Sequence, residues 1–242
     1  MKVYIECREN GYPRSKNSYD AYLGFREMGF EIQFYNTWYD LESAKKEDIV
    51  VGFVEVIEQR LRQLGIEIPT LDYPDELQNY LGRRIWRDKI NRIAATPELW
   101  PVFVKSVENK RFIGAIIRSP KDLIGAGVPG ENPEVICSEI LDIKAEWRVF
   151  VRYGEILDVR PYKGDWRYAF DPNVIEDAVK QYISAPNGYA IDFGRTKDGR
   201  TVLIEVNDGY ALGDYGLQSL QYAKLLSARW AELTGTEDEC RF

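Results

Sequence analysis

The stretch AIDFGRTKDGRTVLIEVN, residues 190–207, constrains the fold more than any other part of the chain. Two alternating apolar runs meet at Asp198-Gly199, and each run carries an acid near its centre. Asp-Gly between such runs is a strong hairpin signal, because a two-residue type I′ turn needs positive φ at both positions. With residues 198 and 199 as the turn, Lys197 faces Arg200, and counting back sets Asp192 opposite Glu205. Directly opposed residues share a face, as do residues two apart on one strand, so Asp192, Glu205 and Asn207 converge on one side. Phe193, Val202, Ile204 and Val206 are expected on the other side, in the core. Two opposed like charges are destabilising unless compensated. Two compensations are open: a divalent cation held by oxygen ligands, or Lys197, Arg195 or Arg200 on a solvated face.

The chain has no histidine at all. Ser-His-Asp and Cys-His nucleophilic triads are therefore excluded, as are HExxH metal sites. Chemistry must come from carboxylates, Lys, Arg, Tyr, backbone dipoles or a bound metal, an inventory that suits metal-assisted phosphoryl transfer. A net charge of −7 argues against bulk electrostatic binding of nucleic acid, leaving RRIWRDKINR (83–92) as one local basic stretch. Cys7, Cys137 and Cys240 form no pairing motif, which fits a reducing compartment and gives no zinc site. The opening MKVYIECREN holds no long apolar segment, so neither a signal peptide nor a membrane span is expected, and the predicted location is cytoplasmic.

At 242 residues the chain is long enough for one large domain or two to three small lobes. Residues 1–72 read as a small α/β lobe: strand VYIEC, a helix at 18–28 stopped by Gly29, strands EIQFYN and DIVVGF, and a helical stripe of Val54, Ile57, Leu61 and Leu64. That order suggests an open, mainly parallel sheet. No GxGxxG follows the first strand, so no dinucleotide site is read there. The polar stretch 8–18 stands where loops of such sheets contact ligand. A second lobe, 73–136, opens at Pro74 with Asp75 and Gln78 as a capping box for a helix. It continues with strands PVFVK (101–105) and RFIGAII (111–117). A third lobe, 137–242, pairs EWRVFVRY with EILDVRPY across Gly154. It then adds a helix near 173–184, the acidic hairpin and an amphipathic helix near 217–233.

This ordered set of motifs resembles the ATP-grasp carboxylate–amine ligases, and most nearly their compact R2K clade, over about residues 75–233. WRDK (86–89) resembles the helix carrying the family's first phosphate-binding lysine, Lys89, and PVFVK the strand bearing the second, Lys105. KRFIGAII stands in the place of the flap that closes over the phosphates. It has one glycine, Gly114, where the family has a cluster, so the resemblance shifts phosphate contact to Lys110 or Arg111. SEIL (138–141) resembles the adenine hinge, with Glu139, Ile140 and Leu141 contacting the base mainly through backbone. Glu146 falls where the family keeps its ribose carboxylate. IDF and IEVN resemble the magnesium strands, which makes Asp192, Glu205 and Asn207 the implied metal ligands. Many members carry an arginine two residues before the metal aspartate. Ala190 stands there in this chain, so Arg148 and Arg160, with Lys163 from YKGDWR, are the expected substitutes for holding a substrate carboxylate or the transferring phosphate.

The resemblance implies an α/β ATP-grasp fold of α+β lobes, with nucleotide held between two sheet-containing lobes. It implies ATP and one or two Mg²⁺ ions as cofactors, with Mn²⁺ able to substitute. The implied reaction joins a carboxylate to an amine through an acyl-phosphate and releases ADP and phosphate. The expected partners are small amino-acid or peptide substrates, without membrane or nucleic acid, and homo-oligomerisation stays open. Two other classes are weighed. A catalytically silent ATP-binding or adaptor module is consistent with the reduced flap. A metal-dependent nuclease also gathers acids across a hairpin, but Asn207 stands where its lysine belongs.

Overall fold

A computed structural model describes residues 1–107, 114–124 and 131–242. Strand β1 (Lys2–Glu6), helix α1 (Lys16–Glu27), strands β2 (Glu31–Tyr35) and β3 (Ile49–Val51) and helix α2 (Val54–Gln63) follow in the expected β-α-β-β-α order. The three strands form a wholly parallel sheet in the order β2-β1-β3. Helix α1 begins two residues earlier than expected because Ser15 caps it, its hydroxyl accepting from the Ser18 N–H. In α2 the predicted stripe buries Ile57 and Leu61, and Gly65 beyond its end takes φ 73°, the left-handed conformation that closes a helix. The Asp75–Gln78 signal gives a single 3-10 helix over Asp75–Tyr80 instead of an α-helix. Only Leu77 of it is buried, so no apolar stripe holds further α-turns in place.

Strand β4 (Ile85–Lys89), helix α3 (Ile90–Ala95) and strands β5 (Val102–Ser106), β6 (Ala115–Ile117) and β7 (Glu134–Ser138) come next. They form an antiparallel sheet ordered β4-β7-β5-β6. WRDK is therefore strand and not helix, a correction to the sequence reading. It is held by a full ladder to β7, with Trp86 opposite Cys137 and Lys89 opposite Glu134. The Arg87–Glu134 ion pair at 3.2 Å and the Arg84 guanidinium over Trp86 favour the same extended conformation. This unit has its own core of Ile90, Ile93, Val102, Val104, Ile117, Val135 and Cys137.

Strands β8 (Ile143–Arg152) and β9 (Glu155–Gly164), helix α4 (Pro172–Gln181), strands β10 (Gly188–Thr196) and β11 (Thr201–Asp208) and helix α5 (Ser219–Thr234) complete the chain. Their sheet runs β11-β10-β8-β9. Tyr153 and Gly154 both take positive φ, 50° and 77°, and form a two-residue turn between β8 and β9, where the sequence reading has Tyr153 in the strand and the turn at Gly154. Contacts divide the chain into one compact unit of residues 1–80 with 144–242, and a second of 81–143. The sequence reading sets its boundaries at 72/73 and 136/137, whereas the compact units part at 80/81 and 143/144, and Cys137 and Ser138 finish β7. In the larger unit the first and third sheets share one core, in which Ile5, Phe25 and Leu61 pack with Phe150, Tyr222 and Trp230.

Helices α1 and α5 meet closely in that core. A Cβ added at Gly24 would lie 2.1 Å from the Ser219 carbonyl oxygen and 2.8 Å from the Ala223 Cβ. A Gly24→Val substitution must separate the two helices, and it is expected to lose about 1–3 kcal/mol, the usual cost of overpacking. Urea unfolding of the variant checks this, and an unchanged midpoint would contradict the close contact.

Candidate functional site

Asp192 stands opposite Glu205, as the sequence reading set it, and Ala190 stands opposite Asn207. The route to that register differs. The Thr196 N–H donates to the Arg200 carbonyl at 2.9 Å and the Gly199 N–H to the Thr196 carbonyl at 3.0 Å, leaving three residues in the loop, with Gly199 at φ 87°. The Thr196 hydroxyl holds this longer loop by bonding the Asp198 carboxylate and accepting from the Arg200 N–H at 3.0 Å. A three-residue loop alone would slip the register by one and put Ile204 opposite Asp192. A β-bulge cancels the slip: Phe193 pairs with Leu203 and Asp192 with Glu205, leaving Ile204 as the extra residue. Leu203 is therefore fully buried, while Ile204, expected in the core, is half-buried.

Compensation for the opposed acids comes from the neighbouring strand. Arg148 on β8 grips Asp192 with two parallel bonds, Nε to Oδ1 at 2.8 Å and Nη2 to Oδ2 at 2.7 Å. Both side chains are buried, 8% and 2% exposed. Two of the candidates adjoining the turn are occupied elsewhere: Arg195 donates to the Thr201 hydroxyl at 3.3 Å and Arg200 to Asp198 at 2.8 Å. Asn207 adds its amide N–H to Asp192 Oδ2 at 3.2 Å. Arg160 on β9 is directly opposite Arg148 and pairs with Asp158 at 2.6 Å. Glu205, Asp192, Arg148 and Arg160 thus form one row across four strands, two acids followed by two guanidinium groups. Burial pushes the Asp192 carboxyl above its ordinary value; the Arg148 fork opposes that rise, and Glu205 and Glu146 add to it. Burial also works against the Arg148 charge, but the bonds and charge of Asp192 outweigh it and hold the guanidinium above its ordinary value.

Two tyrosines frame the row. A second bulge, between the Glu146–Lys163 and Trp147–Pro161 pairs, makes Tyr162 the extra residue of β9. Its hydroxyl donates to Glu146 Oε2 at 2.8 Å, and Lys163 Nζ binds Oε1 of the same carboxylate at 2.6 Å. Burial, with the charges of Asp192 and Glu146, pushes the Tyr162 phenol far up, so it remains a donor at neutral pH. Tyr215 stacks on Tyr162 at 5.0 Å, and its ring lies 4.9 Å from the Arg148 guanidinium carbon.

The smaller unit carries the remaining expected residues. Lys89 is exposed at the end of β4, and Lys105 is half-buried on β5 opposite Ile136. A Cβ at Gly114 would stand 2.6 Å from the Phe103 ring and 3.5 Å from the Lys105 Cβ, so the backbone there lies against β5. Lys110 and Arg111 fall outside the described residues. The Glu139 N–H donates to the Arg84 carbonyl at 3.1 Å, and its carboxylate accepts from the Arg84 N–H at 3.0 Å. Ile140 is 37% exposed, and the Leu141 carbonyl accepts from the Ile143 N–H at 3.1 Å.

The profile of the family described as ATP-grasp domain, R2K clade family 2, matches residues 80–225, more than half of the chain. The chain belongs to that family. Solved ATP-grasp structures align over nearly the whole R2K-clade chain. N5-carboxyaminoimidazole synthetase from Staphylococcus aureus aligns with a TM-score of 0.61 at 14% identity, covering 98% of this chain and 77% of its own. D-alanine–D-alanine ligase from Bacillus anthracis gives 0.56 at 14% identity, covering 96% of each chain. The D-cycloserine synthetase DcsG gives 0.59 at 12% identity, covering 95% of this chain and 100% of its own. At these identities the likeness establishes the ATP-grasp fold. No curated protein sequence matches the chain.

In this R2K-clade protein direct bonds join Asp192 with Arg148 and Asn207, and Glu146 with Lys163, and Tyr162 links the two groups by bonding Glu146 and lying under Arg148, while Lys89, Lys105 and Glu139–Leu141 belong to the other unit. Among the described residues no group of three or more His, Cys, Asp or Glu stands close enough to hold a metal ion. The expected ligand set has only two such acids, with Asn207 as the third donor. Sequence reasoning missed Tyr162 and Tyr215, and it placed Arg148 toward substrate without its tie to Asp192. YKGDWR drew attention to Lys163 alone, because a bulge that turns the preceding tyrosine inward has no signature in composition. Among the described residues no helix is long and apolar enough to cross a membrane.

Proposed function

We propose that this protein is an ATP-dependent ligase joining a carboxylate to an amine through an acyl-phosphate. The observation that carries this reading is the row Glu205–Asp192–Arg148–Arg160, with opposed acids and opposed guanidinium groups in one sheet layer. Like charges in register are maintained at a cost in stability. The Arg148 fork offsets part of that cost at Asp192, and counter-charged ligands would offset more, a cation at the acids and an anion at the arginines. Asp192, Glu205 and the Asn207 carbonyl oxygen are hard oxygen donors on one face, and they fit Mg²⁺. Asn207 uses its nitrogen toward Asp192, so its oxygen remains the natural ligand atom. Mg²⁺, when bound there, supplies charge neutralisation for a triphosphate.

The chain's own residues do the rest by position and electrostatics. Arg148 and Arg160 present donors to an anionic acceptor group, and Lys163, tethered through Glu146, adds a third cation at the edge of the row. Lys89 and Lys105 act as point charges toward phosphate, and Glu139–Leu141 hold the base. The ATP and ADP complexes of the Bacillus and Staphylococcus enzymes support the nucleotide assignment. The amino-acid and peptide classes named among the structural neighbours support an amino-acid-like substrate.

The test is thermal unfolding with and without Mg²⁺ and a non-hydrolysable ATP analogue, in wild type and Glu205→Gln. At a hundred times its dissociation constant a ligand stabilises by about 2.7 kcal/mol, a midpoint rise of roughly 5–10 °C at this size. The rise should need both ligands in wild type and be largely lost in Glu205→Gln. Turnover with pooled amino acids should then yield ADP and phosphate. A folded protein that shows no shift, or one that releases AMP and pyrophosphate, would rule the reading out.

A further inference from the structure

Outside the charge row, the 209–217 segment holds a second polar cluster. Asp214 there has a side chain only 1% exposed. Its Oδ1 accepts from Lys16 Nζ at 2.5 Å and from the Gly216 N–H at 2.6 Å. Its Oδ2 is buried and has no hydrogen-bond partner. A buried carboxylate oxygen without a donor is costly, more so than a neutral polar atom. Lys16 Nζ also reaches Asp20 Oδ2 at 2.5 Å, from a side chain that is itself 66% exposed. The Ser219 hydroxyl donates to Asp20 Oδ1 at 3.4 Å, and Asn17 Oδ1 accepts from the Asp214 N–H at 3.4 Å.

The acceptors outnumber what Lys16 uses. An ammonium group offers three N–H donors and no acceptor. Nζ places one on each aspartate, arriving from solvent on a flexible stem, and the innermost oxygen is left without a donor. We propose that Asp214 and Asp20 form a binding site for the primary ammonium of an amino-acid-type ligand, and that Lys16 Nζ is its internal stand-in. A small ammonium that takes the place of Nζ between the two aspartates, untethered from α1, is free to turn a donor toward Oδ2.

The surroundings suit such a ligand. Tyr215 follows Asp214 directly, and its ring lies over Arg148, so one short loop separates an ammonium receptor from a guanidinium in the charge row. A Cβ at Gly213 would stand 3.9 Å from Arg148 Nη1, which sets the same loop close against that guanidinium. The assignment of the ligand as substrate rests on the ligase reading. The ammonium site itself does not.

The deciding experiment contains no ATP. Thermal unfolding of Lys16→Ala is followed in methylammonium chloride, with tetramethylammonium chloride as an equally charged control lacking N–H donors. Methylammonium at ten times its dissociation constant should raise the Lys16→Ala midpoint by about 3 °C. The control salt should not, and wild type, whose site Lys16 fills, should respond to neither. Adding Asp214→Asn to Lys16→Ala should abolish the response, and adding Asp20→Asn, at a less buried position, should at least halve it. Equal shifts in both salts, an equal shift in wild type, a response that survives Asp214→Asn, or one that Asp20→Asn leaves at more than half its size would overturn the site. Failure of Mg²⁺ and nucleotide to bind wild type would sink the ligase reading and leave this result standing.

Discussion

Replacing Arg148 with alanine is expected to cost about 3–5 kcal/mol of folding stability, the range for breaking a buried ion pair by removing one partner. That corresponds to a fall of roughly 10 °C in unfolding midpoint for a chain of this size. The loss comes less from missing attraction than from what stays behind: Asp192, almost wholly buried, directly opposed by Glu205 and stripped of both guanidinium bonds. Arg148→Lys should recover only a minor part, because a single ammonium cannot reproduce two parallel bonds to one carboxylate. The double variant Arg148→Met/Asp192→Leu should regain most of the stability, since apolar residues of similar volume often replace a buried pair without net cost. It should also lose every response to Mg²⁺ with nucleotide.

The pH dependence has a definite sign. The folded-state pKa of Asp192 lies above its ordinary value of 3.8, so the folded protein binds more protons than the unfolded chain between those two values. Stability from this group therefore falls as pH rises through that window. Arg148 is the influence that lowers the Asp192 pKa, so its removal must extend the window upward. Arg148→Ala should consequently be closest to wild type in acid and diverge from it as pH increases. A difference that stays constant across pH would show that Asp192 is solvated or otherwise paired in the variant.

The hairpin shows how much of the site was legible in the sequence, and through what kind of compensation. Alternation and the Asp-Gly signal placed Asp192 against Glu205, yet the loop holds one residue more than a type I′ turn, and the bulge at Ile204 removes the offset. The longer loop rests on local bonds, such as that from the Arg200 N–H to the Thr196 hydroxyl, that a period-two pattern does not encode. The N-terminal sheet was readable because each strand is a short apolar run bounded by polar residues, and both helices carry a buried stripe ending in glycine. WRDK was not, because four residues of mixed character fit a helix or a strand equally well, and only the β7 ladder decides between them. Arg148 belongs to the same class of problem. Its place on the right strand was visible from the sequence, but its choice of Asp192 depends on β8 lying beside β10, an adjacency set by tertiary topology. Lys16 and Asp214, some two hundred positions apart, meet for a similar reason: α1 packs on α5 in a core that no local pattern announces.

Arg229→Ala should produce a loss of the same order, about 3–5 kcal/mol, at a position with no expected ligand role. Arg229 lies on α5 with a side chain 4% exposed, and its guanidinium forks onto Asp208 with bonds of 2.6 and 2.5 Å. A third bond of 2.8 Å goes to Glu232, whose carboxylate also accepts from the Asn187 N–H. One cation thus ties the last helix to the end of β11 and, through Glu232, to the entry of β10. Removing it strands Asp208, which is held above its ordinary value by burial and brought down chiefly by Arg229. The surrounding backbone has little room to rearrange, because a Cβ at Gly209 would come within 2.1 Å of the Gly188 carbonyl oxygen. Denaturant unfolding should show a lower midpoint with an unchanged slope, since the surface exposed on unfolding stays the same. A loss under about 1 kcal/mol, the range of solvent-exposed pairs, would mean that water reaches Asp208 and that α5 is anchored by its apolar face alone. The contrast with Arg148 then becomes diagnostic. Both changes break a buried fork of similar geometry, but only the one at the charge row should abolish the response to Mg²⁺ and nucleotide, whereas Arg229→Ala, assayed below its lowered midpoint, should retain it.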